Sequence, residues 1–127
     1  MRLVLVRHAE AASGQPDELR TLTEVGRAQA RALGERLRAE GIAPSAVLAS
    51  PLLRARETAA ELGLGEPEPH DALLPGATAD DVRDAVKGRG ETVLVVGHQP
   101  DCGRIAAALG DGVEPAFPPA GVCVVEL

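Results

Sequence analysis

Arg7, His8, Arg54 and His98 are the side chains of this sequence whose types and settings could do chemistry together. Arg7-His8-Ala9 stands where the apolar run Leu3 to Val6 ends. Gly97-His98-Gln99-Pro100 follows Val93 to Val96 in the same way, and Ser50-Pro51, with Arg54 close behind, follows Ala46 to Ala49. Each run reads as a strand, and the carboxyl ends of parallel strands line one edge of an open sheet, where ligands bind. The four side chains are therefore expected to converge in a cationic pocket, within a chain whose net charge is -6. Such a pocket suits a phosphoryl group.

Each group brings something different to phosphoryl chemistry. A neutral imidazole carries a lone pair that attacks phosphorus without a separate base, whereas a serine hydroxyl needs one. A guanidinium keeps its charge and offers a planar fork matched to phosphate oxygens. A second imidazole, protonated against the bound dianion, adds a donor where transition-state charge accumulates. Helices opening after Pro51 and Pro100 would turn backbone N–H groups and positive dipole ends toward the same place.

The elements that must position these groups are legible in outline. Residues 2 to 7 read as a buried strand, whose Leu3 to Val6 are apolar without alternation, as in parallel strands covered on both faces. A polar loop through Ser13, Gly14, Gln15 and Pro16 leads to Thr21-Leu22-Thr23-Glu24, whose capping-box spacing predicts a helix running to about Glu40. Leu22, Val25, Ala30, Leu33 and Leu37 form its buried stripe, with Arg27, Arg31, Glu35 and Arg38 toward water. Ser50-Pro51 pairs an N-cap residue with a proline at the first helical position, which starts a helix there and puts Arg54 in or near its first turn. Gly63 and Gly65 end that helix, and Glu66 to Pro75 is extended or irregular. Thr78-Ala79-Asp80-Asp81 opens a helix to roughly Lys87, Thr92 to Val96 is the third central strand, Pro100 opens a helix to about Leu109, and Gly121 to Leu127 is a final edge strand. The order β-α-β-α-α-β-α-β implies an α/β sandwich.

Composition bounds the rest. A chain of 127 residues with 45% hydrophobic content is long enough for one core, and residues 1–127 are read as a single domain. No apolar run approaches the roughly 18 residues of a membrane span, and the sequence begins on a strand, so a cytoplasmic protein with no membrane partner is expected. Cys102 and Cys123 lack metal-ligand spacing and read as reduced thiols. A pI near 5.0 argues against nucleic-acid binding, which needs a basic stripe. Three histidines on separate elements make no ligand set, so neither a metal nor another cofactor is implied.

Three segments in order, Leu5-Val6-Arg7-His8-Ala9-Glu10, Ser50-Pro51-Leu52-Leu53-Arg54-Ala55-Arg56-Glu57-Thr58-Ala59 and Val96-Gly97-His98-Gln99-Pro100, resemble the histidine phosphatase, or phosphoglycerate-mutase-like, superfamily. Thr23 with Gly26, and Leu74-Pro75-Gly76-Ala77, look like that family's secondary landmarks. The resemblance implies a three-layer α/β/α sandwich with a mostly parallel central sheet. It also implies phosphorylation of His8 during turnover, with Arg7, Arg54 and His98 binding the phosphoryl group. Within the superfamily the chain looks most like the small SixA-type phosphohistidine phosphatases, since it has no room for a cap domain. Where mutases and sugar phosphatases carry a general-acid glutamate, this sequence has the apolar Leu73 and Leu74. An alkoxide needs a proton to leave, whereas an imidazole leaves readily once its ring is protonated, so a P–N substrate relaxes the need for that acid.

The expected partner is thus a phosphorylated protein bearing phosphohistidine, the protein acting as a monomer. The rival enzyme reading is a phosphatase for a small phosphorylated metabolite, with Asp101, Glu10 or another loop acid as proton donor. A different class, a binding module that holds phosphorylated ligands without turnover, would need only the arginines, and His8 speaks against it. Glu10, Ser13, Gln99 and Asp101 are further candidates for substrate contact, being close in sequence to His8 or His98. Asp101 is better explained as an acid stabilising a helix N-terminus, Cys102 as helix packing, Arg56 as a surface cation and His70 as a solvated loop residue.

Overall fold

The computed structural model describes residues 1–127. The chain runs β1 (Arg2–Arg7), α1 (Glu24–Ala39), β2 (Ala46–Ala49), α2 (Leu53–Leu62), β3 (Pro67–Pro69), α3 (Ala79–Val86), β4 (Thr92–Gly97), α4 (Asp101–Leu109) and β5 (Val122–Glu126), with single 3-10 turns at Asp17–Leu19 and Asp71–Leu73. The sheet order is β3-β2-β4-β1-β5. All pairs are parallel except β1 with β5. Within β1, β2 and β4 the side chains alternate between two cores, as the period of two requires. Leu3, Leu5, Leu48, Val93 and Val95 pack with Val82, Val86 and Ile105 of α3 and α4. Val4, Val6, Val47, Ala49, Leu94 and Val96 pack with Leu33, Leu37, Ala55, Ala59 and Leu62 of α1 and α2. The result is three layers, helices on both faces of the sheet, with no cap domain.

The structure departs from the local expectations at four places. The segment Glu66 to Pro75 contributes a fifth strand, β3, paired parallel to β2 with Val47 opposite Pro67. Its sequence, Pro-Glu-Pro, hides it, because proline cannot donate to a ladder and is tolerated only at a sheet edge such as this one. The helix expected from Ser50-Pro51 begins at Leu53, with Leu52 as N-cap, and the Ser50 hydroxyl, which lies 2.7 Å from His98 Nε2, accepts the Leu52 N–H in a turn ahead of the helix. Val25 lies outside the stripe of α1 and is 57% exposed. Gly26 is buried in its place, where a Cβ would meet the Glu10 carbonyl oxygen at 2.0 Å. Arg27 is only half-exposed, since it pairs with Glu57 and Glu61 of α2.

No helix is long and apolar enough to cross a membrane.

Candidate active site

The carboxyl ends of β1, β4 and β2 adjoin one another at one sheet edge, and the residues that leave them form one cluster. In register, Arg7 lies opposite Gly97 and Ala49 opposite Val96, so His8 and His98 leave neighbouring strands at the same level and Ser50 leaves the next strand one residue below His98. The rings of His8 and His98 are 5.3 Å apart between centroids and inclined at 59°. His8 Nδ1 lies 2.7 Å from the Ala9 carbonyl, which can only accept, so Nδ1 carries the proton and Nε2 keeps its lone pair. His98 is buried, its Nε2 lies 2.7 Å from Ser50 Oγ, and its Nδ1 has no partner.

The arginines frame the imidazoles. Arg7 donates from Nη1 to the Phe117 carbonyl at 3.0 Å, and its Nε is buried without a partner. Arg54, in the first turn of α2, is buried, donates from Nη1 and Nη2 to Asp17, and likewise leaves Nε buried and unpartnered. Buried polar groups are ordinarily satisfied, so the unpartnered N–H groups of Arg7 and Arg54 and the unpartnered ring nitrogen of His98 mark a place where an anion's oxygens would complete the bonding. Burial is the largest influence on both imidazoles, holding His8 down to about 4 and His98 down to about 3, and neighbouring positive charge, from Arg54 and Arg7 among others, acts in the same direction. Both rings are neutral at pH 7 in the free protein.

Supporting contacts explain how these side chains are held. Thr58, fully buried on α2, accepts the Ala9 N–H on Oγ1 at 3.0 Å and donates to the Arg54 carbonyl at 2.7 Å, tying the loop after His8 to the helix that carries Arg54. Thr23 Oγ1, the N-cap of α1, accepts the Gly26 N–H at 2.9 Å and donates to Glu10 Oε2 at 2.6 Å. Glu57 accepts the Thr21 hydroxyl, the Leu22 N–H and Arg27 Nη2, which anchors the far end of the loop.

The remaining sequence candidates are placed as follows. Glu10 is exposed and occupied by Thr23, and Ser13 is exposed in the loop. Gln99 is exposed and its Oε1 accepts the Gly103 N–H at 2.8 Å, closing the first turn of α4. Asp101 is buried, and its Oδ2 accepts the Gly76 N–H at 2.8 Å, fastening the Leu74-Pro75-Gly76-Ala77 loop to α4. Cys102 packs under β1 with its thiol pushed up to about 12 by burial. His70 does more than face solvent, since its Nδ1 accepts the Ala72 N–H. Ser50, Asp17 and Thr58 were not assigned from the sequence. Thr58 carries the one usable signal, being a β-branched hydroxyl on the buried face of α2 one turn after Arg54.

A broad groove at the other end of α4, lined by Leu109, Val113, Cys123 and Val125, holds none of these groups.

Fold and site together place two imidazoles and two guanidiniums at the carboxyl edge of a mostly parallel sheet. The model of the histidine phosphatase superfamily (branch 1) matches residues 3–74, which include Arg7, His8 and Arg54, and the chain belongs to that superfamily. An uncharacterized protein of Mycobacterium tuberculosis is 33% identical over 137 residues, 96% of this chain and 87% of that one. The structure of the protein histidine phosphatase SixA complexed with tungstate superposes with a TM-score of 0.90 at 28% identity, covering 100% of this chain and 88% of that one. A candidate phosphohistidine phosphatase SixA from Nakamurella multipartitia superposes at 0.83 with 31% identity over 97% of this chain and 82% of that one. The fold is that of the SixA-like members of the superfamily.

Proposed function

We propose that residues 1–127 act as one domain, a metal-independent phosphatase that hydrolyses phosphohistidine on proteins through a covalent phosphate on His8. The observation that carries the reading is the pairing of a free His8 Nε2 lone pair, set by the Nδ1–Ala9 bond, with buried unpartnered N–H groups on Arg7 and Arg54 and the unpartnered Nδ1 of His98. Likeness to a SixA that binds tungstate, a tetrahedral oxyanion, supports it.

In the first displacement His8 Nε2 attacks phosphorus in line. The bond to the leaving imidazole breaks and its electron pair returns to that ring. In the second, water adds to phosphorus, the pair returns to His8 Nε2, and the water's proton leaves with phosphate or solvent. Arg7, Arg54 and His98 bind the equatorial oxygens throughout. The Ser50 hydroxyl, which accepts the Leu52 N–H at 3.3 Å, donates its own proton to His98 Nε2 in this reading. His98 then presents Nδ1–H to the phosphoryl group as a neutral donor, and the bound dianion raises its affinity for a second proton.

The acids nearest the cradle favour a P–N substrate over an ester. Asp101 accepts the Gly76 N–H and Glu10 the Thr23 hydroxyl, so each already has a structural task, and the general-acid position is filled by the apolar Leu73 and Leu74. A positioned general acid contributes about 10² to 10⁴-fold, and alkyl phosphates should lag phosphohistidine by that factor while activated aryl phosphates lag far less. The test is kcat/KM against leaving-group pKa, together with acid-labile, base-stable phosphate on His8 after quenching. A flat dependence that includes alkyl phosphates would transfer the reading to small esters, and label on another residue, or none with no burst on an aryl phosphate, would overturn it.

A further inference from the structure

Asp17 is an acid at the edge of an oxyanion cradle, where a negative charge would ordinarily hinder binding. Its carboxylate is shared between two cations: Oδ2 accepts from Arg54 Nη2 at 3.2 Å and Oδ1 from Arg20 Nη1 at 3.2 Å. The Asp17 carbonyl accepts from Arg54 Nη1 at 3.0 Å, and Arg20 is itself fixed by donating from Nε to the Ala12 carbonyl at 2.8 Å. These bonds use the Nη atoms of Arg54 and leave its Nε buried and unpartnered, as are Arg7 Nε and His98 Nδ1. Donors for the phosphoryl oxygens therefore remain with Asp17 in place. The Arg54 side chain is 7% exposed and that of Asp17 56%, so the acid stands on the solvent side of the guanidinium. Its charge also bears on the His98 ring.

We propose that Asp17 is a specificity-determining residue whose carboxylate accepts the ring N–H of a protonated phosphohistidine and disfavours phosphate esters. The proposal rests on the phosphohistidine reading above. A phosphohistidine protonated on its second ring nitrogen carries a cationic ring. As the bond from His8 Nε2 to phosphorus forms, the bond to the leaving nitrogen breaks, its electron pair neutralises that ring, and imidazole departs still bearing the N–H held by Asp17. No proton changes hands. An ester instead develops negative charge on its leaving oxygen beside a carboxylate, which costs Coulomb energy. Asp17 is also a poor proton source for that oxygen, because the Arg20 bond holds its carboxyl below the ordinary range. One carboxylate thus favours the cationic leaving group and opposes the anionic one.

The experiment compares wild type with Asp17→Asn and Asp17→Glu on a phosphohistidine peptide and on p-nitrophenyl phosphate. The ratio of kcat/KM on phosphohistidine to that on the aryl phosphate should fall about 10- to 100-fold in Asp17→Asn, the scale of a hydrogen bond to a charged group, and recover in part in Asp17→Glu. The alkaline limb of the phosphohistidine profile should move to lower pH in Asp17→Asn, because the carboxylate no longer favours the protonated ring. An equal fall on both substrates would mean that Asp17 only orients Arg54, and an equal rise that it only competes with phosphate. Either outcome, or no change, overturns the proposal. Wild type that cleaves the aryl phosphate but not phosphohistidine would instead refute the parent reading, whereas a wild-type preference that survives in Asp17→Asn refutes only the role of Asp17.

Discussion

His98 Nε2 lies 2.7 Å from Ser50 Oγ, a contact between residues 48 positions apart that exists because β4 and β2 are neighbours in the sheet. It fixes the orientation of a buried ring whose other nitrogen has no partner. His98→Ala is expected to lower kcat by roughly 10² to 10³-fold, the scale of losing one preorganised donor, with the phosphoenzyme still detectable. Ser50→Ala, which frees the ring without removing it, should cost less. Rapid-quench kinetics on an aryl phosphate read both, and near-normal turnover in His98→Ala would make that residue structural.

Neither active-site imidazole should take up a proton between pH 8 and pH 5 in the free protein, since burial holds His8 at about 4 and His98 at about 3. NMR titration of the ring protons checks this. Addition of vanadate should move the His98 titration upward, because a bound anion favours its charged form.

The same shifts set an acid limit on stability. Both imidazoles hold fewer protons folded than unfolded, so their contribution is fully present above the unfolded value of 6.5 and is lost as pH falls toward 4 and 3. The unfolding free energy from urea titrations should decline across that window, by up to about 1.4 kcal/mol per pH unit for each ring that protonates only on unfolding. A His8→Gln variant should flatten the decline, and an unaltered slope would show that His8 is not the group responsible.

Thr58→Val should lower both activity and stability. The change keeps the shape but strands the buried Ala9 N–H, which costs about 1–3 kcal/mol, and it releases the loop after His8 from the helix of Arg54. Thr58→Ser should restore both. Thermal melts and kcat on one protein preparation separate this from a purely local effect: stability lost with kcat unchanged would mean that Thr58 does not position His8.

Gly26→Ala tests the packing of α1 against the loop. A Cβ there would lie 2.0 Å from the Glu10 carbonyl oxygen, which is backbone and cannot turn aside. A loss of at least about 1–3 kcal/mol is expected, the scale of overpacking, with a fall in kcat as the segment behind His8 shifts. A variant as stable and active as wild type would show that α1 can move away freely.

Activity should survive chelation and be inhibited by vanadate, which mimics five-coordinate phosphorus. Loss in chelator that magnesium restores would refute metal independence.

What was legible in the sequence follows from how strongly each element is buried. β1, β2 and β4 are covered on both faces, so their apolar runs are unbroken and their ends, with Arg7, His8 and His98, can be read directly. Arg54 was legible through its motif, although the helix carrying it begins later than Ser50-Pro51 suggested. β3 was not, because two prolines at an exposed edge carry none of the signals of a strand. The contacts of Asp17 with Arg54, Ser50 with His98 and Thr58 with Ala9 span 37, 48 and 49 positions, and nothing local in the chain records them. Residue types and strand ends are local properties that burial writes into the sequence. Which polar side chain meets which depends on the strand order β3-β2-β4-β1-β5 and on a loop folding back over the sheet edge, and those are decided only when the whole core packs.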